Sequence, residues 1–221
     1  MNKFLSTLSL VLVTCVTSFS VHAQEFKGNV QAGEKKINMC IGCHGIVGYQ
    51  ASFPQIHKVP KISGQNAEYI VAALTAYKKG DRKHPSMMGI ADNLTDQDMA
   101  DIGAYYSAHG KVVDAPELAK APEGPARVSA LIQKGACISC HGDSFSKPIV
   151  ATYPKIAGQH ADYLFVALKS YKVENNAIVG RNNGIMGGVA KQFTNAELKE
   201  MADYISSLPG ELKTVPGKSF R

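Results

Sequence analysis

This 221-residue chain is short of cysteine, and nearly all of what it has is committed. Cys15 lies near the N-terminus, and the other four form two pairs, Cys40/Cys43 and Cys137/Cys140. None is left for a structural disulfide or for a further sulfur ligand. The two C-x-x-C pairs are almost a hundred residues apart, whereas the pairs of a zinc ribbon stand about 15–20 residues apart. No βαβ pattern surrounds either pair, which argues against a thioredoxin-like redox disulfide. Convincing period-2 alternation is also missing, so the chain does not read as a sheet protein. Beyond the N-terminus no apolar run is long enough to cross a bilayer.

The N-terminus itself reads as a targeting segment. Lys3 supplies the positive charge, Phe4 to Val13 the short apolar run, and Val21-His22-Ala23 the small-residue cleavage site. Cleavage after Ala23 is predicted, which makes residues 1–23 a signal peptide and removes Cys15. Lipidation of Cys15 is disfavoured by Thr14 and by the shortness of the run. The expected product is exported to the periplasm, with no transmembrane helix.

Each cysteine pair is followed by histidine. Cys40-Ile41-Gly42-Cys43-His44 recurs as Cys137-Ile138-Ser139-Cys140-His141. C-x-x-C-H is the attachment signature of c-type haem. Two thiols at this spacing add to the two vinyl groups on one porphyrin edge, and the next residue offers an imidazole to the iron. Two covalently bound haem c groups are therefore expected, held by Cys40, Cys43, Cys137 and Cys140, with His44 and His141 as proximal iron ligands.

The halves repeat beyond the cysteines. Pro60-Lys61-Ile62-Ser63-Gly64-Gln65 matches Pro154-Lys155-Ile156-Ala157-Gly158-Gln159, and both runs reach a tyrosine, Tyr69 and Tyr163. Leu94-Thr95 matches Phe193-Thr194, and Tyr105 matches Tyr204. The predicted division is an N-terminal domain at 24–112, a Pro-rich linker at 113–126 and a C-terminal domain at 127–221. The fold class is all-α. Helices are expected over about Val30–Met39 and Ala126–Ala136, over Ala67–Tyr77 and Ala161–Tyr171, and after each of two capping boxes, Thr95/Asp98 and Thr194/Glu197. The tail after Pro209 is polar and is expected to be loosely ordered.

The repeat also selects the second iron ligand. Met87 stands seven residues before Leu94, and Met186 seven before Phe193, whereas Met88 corresponds to Gly187. A ligand needed in both halves should occupy the shared position, so Met87 and Met186 are chosen. Both are expected in Gly-containing loops, while Met39, Met99 and Met201 read as core filler on helices. His57, His84, His109 and His160 have no counterparts across the repeat and read as surface or loop residues. Arg82 and Arg181 each precede the chosen Met by five residues. They read either as bidentate partners of haem propionates or as solvated loop residues. Carbonyls of the proline loops, at Pro60 and Pro154, are candidates to accept the second ring N–H of each histidine.

The formal charge of +6 invites a nucleic-acid reading. Loss of Lys3 and the arrival of four propionates nearly cancel it, so no nucleic-acid partner is expected.

Two C-x-x-C-H halves, each with a P-K-I-[AS]-G-Q loop, a late Met and a closing Tyr-bearing helix, resemble the cytochrome c4 family of dihaem class I c-type cytochromes. The resemblance spans almost all of the predicted mature chain. It implies two tandem class I cytochrome c domains facing each other across a pseudo-twofold, with propionates close to the interface. It implies axial pairs His44/Met87 and His141/Met186, and a periplasmic electron carrier loosely associated with the membrane surface. The donor would be a quinol-oxidising complex or a dehydrogenase, and the acceptor a terminal oxidase or reductase. Two rival readings are a cytochrome subunit of a larger dehydrogenase and a dihaem peroxidase or thiosulfate-oxidising enzyme. The enzyme needs a labile ligand, whereas both halves offer a Met and no spare cysteine remains.

Overall fold

The computed structural model describes residues 27–111 and 119–217. The predicted signal peptide, with Cys15, lies outside the described residues, as do residue 112 and 113–118 of the predicted linker. In the N-terminal half the order is α1 (Val30–Glu34), α2 (Asn38–His44), the strands β1 (Gln50–Ala51) and β2 (His57–Lys58), α3 (Ala67–Lys79), β3 (Arg82–Lys83), α4 (Pro85–Asp92) and α5 (Asp96–Ala108). The C-terminal half runs α6 (Ala126–Lys134), α7 (Cys137–His141), α8 (Ala161–Ser170), β4 (Gly180–Arg181), α9 (Gly184–Ala190) and α10 (Asn195–Ser207). The architecture is all-α apart from two-residue strands.

Each half has its own core. In the first, α5 packs on α1 and α3; in the second, α10 packs on α6 and α8. Ile70, Leu74 and Tyr77 of α3 meet Met99, Ile102 and Tyr106 of α5. Leu198, Met201 and Ile205 of α10 meet Leu131, Ile132 and Leu164. Burying each such side chain stabilises by ~1.5–3 kcal/mol. Both capping boxes form, with Thr95 accepting from the Asp98 N–H and Thr194 from the Glu197 N–H at the starts of α5 and α10. Each cap contributes ~1 kcal/mol.

The first helix departs from expectation. Val30 to Met39 is not continuous: α1 stops at Glu34 and α2 restarts at Asn38. Gly33 lies so close to α5 that an added Cβ would stand 2.2 Å from the Asp101 carbonyl oxygen. Beside it, Lys36 pairs with Asp98 and Asp101 at 2.7 and 2.6 Å. These contacts fix α1 to α5 and let the chain turn before the cysteines. The second half breaks similarly: α6 ends at Lys134, and Ala136 takes a left-handed conformation (φ 47°) ahead of α7. Met39, expected as core filler, is 71% exposed, whereas Met99 and Met201 are buried as expected.

The tail also departs from expectation. Leu212 is 4% exposed, and the Lys213 N–H donates to the Ser63 carbonyl at 3.0 Å. Glu211 pairs with Lys155. Burial of Leu212 and the backbone bond from Lys213 to Ser63 hold the tail, the bond tying it to the opposite half.

The halves meet through the repeated Pro-Lys-Ile loops, in a reciprocal pattern. Gln65 Nε2 donates to the Lys155 carbonyl (2.9 Å) and its Oε1 accepts from the Lys155 N–H (3.0 Å). Gln159 Nε2 donates to the Lys61 carbonyl (2.9 Å) and its Oε1 accepts from the Lys61 N–H (2.9 Å). Residue i of one half contacts residue j of the other, and the equivalent of j contacts the equivalent of i, as a pseudo-twofold requires. Beyond this loop β3 pairs with β4 antiparallel, placing Arg82 opposite Arg181.

Candidate functional site

The two C-x-x-C-H motifs ride on helices with different histories. In the N-terminal half the motif is the last part of α2, which enters from the turn at Ile37. In the C-terminal half it is the whole of α7. Both deliver their cysteines and histidine to one continuous cavity of about 700 Å³ that crosses between the halves. None of the four cysteines is in a disulfide. Burial pushes the Cys40 and Cys137 thiols up to about 11. A redox C-x-x-C works through a thiol of lowered pKa, and burial pushes Cys40 and Cys137 the other way.

The imidazoles are oriented for metal. His44 Nδ1 donates to the Pro60 carbonyl at 2.8 Å, and His141 Nδ1 to the Pro154 carbonyl at 3.0 Å. The proline carbonyls proposed from sequence are thus within hydrogen-bonding reach. With Nδ1 protonated, Nε2 is the basic nitrogen. Burial holds both imidazoles below the ordinary histidine range, against the opposing effect of these carbonyls. A neutral imidazole is the form that binds a metal.

Met87 and Met186 line the same cavity. Met88 does not; it packs against the N-terminal core. Met87 and Met186 sit on short helices, α4 and α9, and not in the loops expected from their glycines; Met39 of α2 also lines the cavity. The reason is local. Pro85 occupies the first turn of α4, where its missing N–H costs nothing. Asn183 caps α9 by accepting from the Met186 N–H itself at 2.9 Å. The second methionine is therefore held by a cap despite its Gly- and Asn-rich surroundings.

His57 is not a surface or loop residue: it belongs to β2 and is 4% exposed. Its Nδ1 donates to the Gln55 carbonyl at 2.8 Å. His57 and His84 line the cavity, whereas His109 and His160 do not.

Arg82 and Arg181 are half-buried and line the cavity. Their guanidiniums converge on one phenol: Arg82 Nη2 donates to Tyr163 Oη at 2.7 Å and Arg181 Nη2 at 3.2 Å. Arg82 also donates to Tyr69 (3.2 Å) and lies 4.6 Å over the Tyr77 ring. Among the described residues no carboxylate pairs with either arginine. Two adjacent half-buried cations without an anion carry a desolvation cost. Buried polar side-chain atoms without a partner point the same way: Arg82 Nε, His84 Nδ1 and Tyr106 Oη are all on residues lining this cavity. An apolar group bearing carboxylates, bound twice, fits this lining. Tyr69, Tyr163, Gln65 and Gln159 went without a role in the sequence reading. Their signal was present, since all four fall in the repeated Pro-Lys-Ile run.

Comparison with known proteins agrees with this geometry. The family model for cytochrome c matches the chain twice, over residues 30–108 and 125–209. Cytochrome c4 of Stutzerimonas stutzeri is 34% identical, with 94% of this chain aligned to all of that protein. The thiosulfate dehydrogenase electron acceptor of Stutzerimonas stutzeri (strain A1501) is 28% identical over 86% of this chain and 89% of its own length. The crystal structure of reduced recombinant cytochrome c4 from Pseudomonas stutzeri superposes with a TM-score of 0.59 at 29% identity, covering 82% of this chain and all of that one. With two cytochrome c domains, two sites for covalently bound haem c and relatives matched along nearly their whole length, the chain belongs to the cytochrome c4 family of dihaem electron-transfer proteins.

Proposed function

We propose that the chain is a periplasmic electron carrier and not an enzyme, with both irons closed by one imidazole and one thioether. Cys40, Cys43, Cys137 and Cys140 carry the thioether links. His44 with Met87, and His141 with Met186, are the axial pairs. Haem c supplies the one-electron Fe(III)/Fe(II) couple, and Met/His ligation places it at the oxidising end of a respiratory chain. The protein's residues do the rest. Pro60 and Pro154 fix the imidazole tautomers, Pro85 at the start of α4 and the Asn183 cap of α9 hold the methionines, and the two arginines neutralise propionates between the halves. Domains at 24–112 and 127–221, joined by 113–126 after cleavage at Ala23, complete the reading.

The observation that carries it is the single cavity in which both halves present a Pro-anchored histidine and a helix-borne methionine. A closed shell leaves no position for substrate. The partners are redox proteins: a quinol-oxidising complex or dehydrogenase as donor, and a terminal oxidase or reductase as acceptor. One relative's name specifies a thiosulfate dehydrogenase as its donor, which favours the dehydrogenase side of this pair. The test is to offer carbon monoxide to the reduced protein, and thiosulfate and peroxide to it under turnover conditions. A carrier binds no carbon monoxide and turns over neither substrate. Carbon monoxide binding or sustained turnover would identify an open iron and an enzyme.

A further inference from the structure

The two hydrogen bonds at the Pro-Lys-Ile loop belong to one peptide unit. The Pro60 carbonyl and the Lys61 N–H are the two ends of the same planar amide. Its oxygen accepts from His44 Nδ1 at 2.8 Å, and its N–H donates to Gln159 Oε1 of the opposite half at 2.9 Å. The second half repeats this with the roles crossed. The Pro154 oxygen accepts from His141 at 3.0 Å, and the Lys155 N–H donates to Gln65 Oε1 at 3.0 Å. Both glutamines are buried, at 3% and 4% exposure. Each Oε1 also accepts from the next backbone N–H, Asn66 at 2.9 Å and His160 at 3.0 Å. The amide orientation is thereby fixed, with the oxygen toward lysine nitrogen and Nε2 toward lysine oxygen.

We propose that each glutamine is a positioning residue for the haem of the other half, acting on its proximal histidine through this single peptide. Donating the amide N–H to Gln159 polarises the peptide and makes the Pro60 oxygen a stronger acceptor, since hydrogen bonds in a chain strengthen one another by ~10–30% each. A stronger acceptor draws the Nδ1 proton outward and raises the basicity of the ligating nitrogen. A more basic ligand favours Fe(III), so the glutamine lowers the potential of the haem it does not sit beside. Docking of the halves and tuning of the two centres are then one interaction. The same contact explains why glutamine ends the repeated loop in both halves.

The inference rests on His44 and His141 as proximal ligands. It does not depend on which residue supplies the sixth. The test uses the full dihaem protein with Gln159→Leu and, separately, Gln65→Leu; Gln→Met at each position serves if Leu does not fold. Spectroelectrochemical titration gives both potentials, assigned to their haems by the paramagnetically shifted axial-ligand resonances. Gln159→Leu should raise the potential of the His44 haem by about threefold in its reduction equilibrium, ~28 mV at ~59 mV per tenfold, and leave the His141 haem in place. Gln65→Leu should do the reverse. The ferric His44 ring resonances should shift in Gln159→Leu and not in Gln65→Leu. A merely structural role predicts otherwise: water entering a loosened interface stabilises Fe(III) and lowers both potentials together. Equal shifts in both haems, a shift confined to the substituted half, or no shift overturns the relay. Failure of the Met ligation would show separately, as a missing Met–Fe(III) charge-transfer band in the unsubstituted protein.

Discussion

Arg82→Met is the substitution whose consequence follows most directly from the site. Arg82 and Arg181 sit opposite each other across the β3–β4 pair and share the Tyr163 hydroxyl. Replacing one guanidinium by a thioether of similar reach removes a full positive charge from the cavity and leaves its apolar stem in place. At an effective dielectric of ~20 and a separation on the order of 10 Å, a unit charge contributes ~1.7 kcal/mol. That is a factor of about 17 in the reduction equilibrium, or ~70 mV for a one-electron couple. The sign is fixed by charge: losing a cation favours Fe(III), so the potential falls. Because the two arginines contact one phenol between the halves, both haems should fall, and Arg82→Met with Arg181→Met together should fall further. The assay is an optical redox titration, with the Met–Fe(III) band checked in each variant so that ligand loss is not mistaken for a charge effect. Unchanged or raised potentials with the band intact would refute the assignment of these arginines to propionates.

Three further outcomes follow from the packing. Gly33→Ala places a Cβ 2.2 Å from the Asp101 carbonyl oxygen, so α1 must move off α5; a loss of ~1–3 kcal/mol is expected in denaturant melts, and an unchanged midpoint would contradict this contact. Hydrogen bonds from Lys36 and then Thr95 hold the Asp98 carboxyl down at about 2, below the ordinary aspartate range. Its contribution is therefore present above pH ~4 and lost as pH falls towards ~2; Asp98→Asn should flatten the acid limb of the stability profile over that interval. Leu212→Ala removes the anchor of the C-terminal strap, at a cost of ~2 kcal/mol, and should make the tail after Pro209 a preferred site of limited proteolysis while leaving the haem spectrum unchanged.

Much of the site was legible because its chemistry is local. Cys40 to His44 and Cys137 to His141 must be adjacent to work, so their spacing announces them. The capping boxes at Thr95 and Thr194 are equally local, and both formed. The choice of Met87 over Met88 came from the repeat, and only Met87 lines the cavity. What stayed hidden depended on contacts between distant residues. The break before Asn38 is imposed by Gly33 against α5, a contact 68 residues away in sequence. Pro85 and Asn183 signalled helix starts at α4 and α9, but the glycines around the methionines outweighed them in the reading. The polar tail gives little sign of its burial at Leu212, and the Lys213 bond to Ser63 depends on the other half. Gln65 and Gln159 stand out in the sequence only as part of a repeat, and their contacts require two copies of the loop brought face to face. His57 read as a loop residue because its burial arises only when β2 meets the C-terminal half, where Lys58 N donates to Asp162 at 3.0 Å.

The central claim is a closed iron shell of imidazole and thioether in both halves, and the near-red absorption of the oxidised protein tests it. A closed shell in both halves gives a Met–Fe(III) charge-transfer band of two-haem intensity, halved by Met87→Ala or by Met186→Ala, abolished by both together, and untouched by Met88→Ala. A band that survives the double replacement, or that vanishes with Met88→Ala, would contradict it.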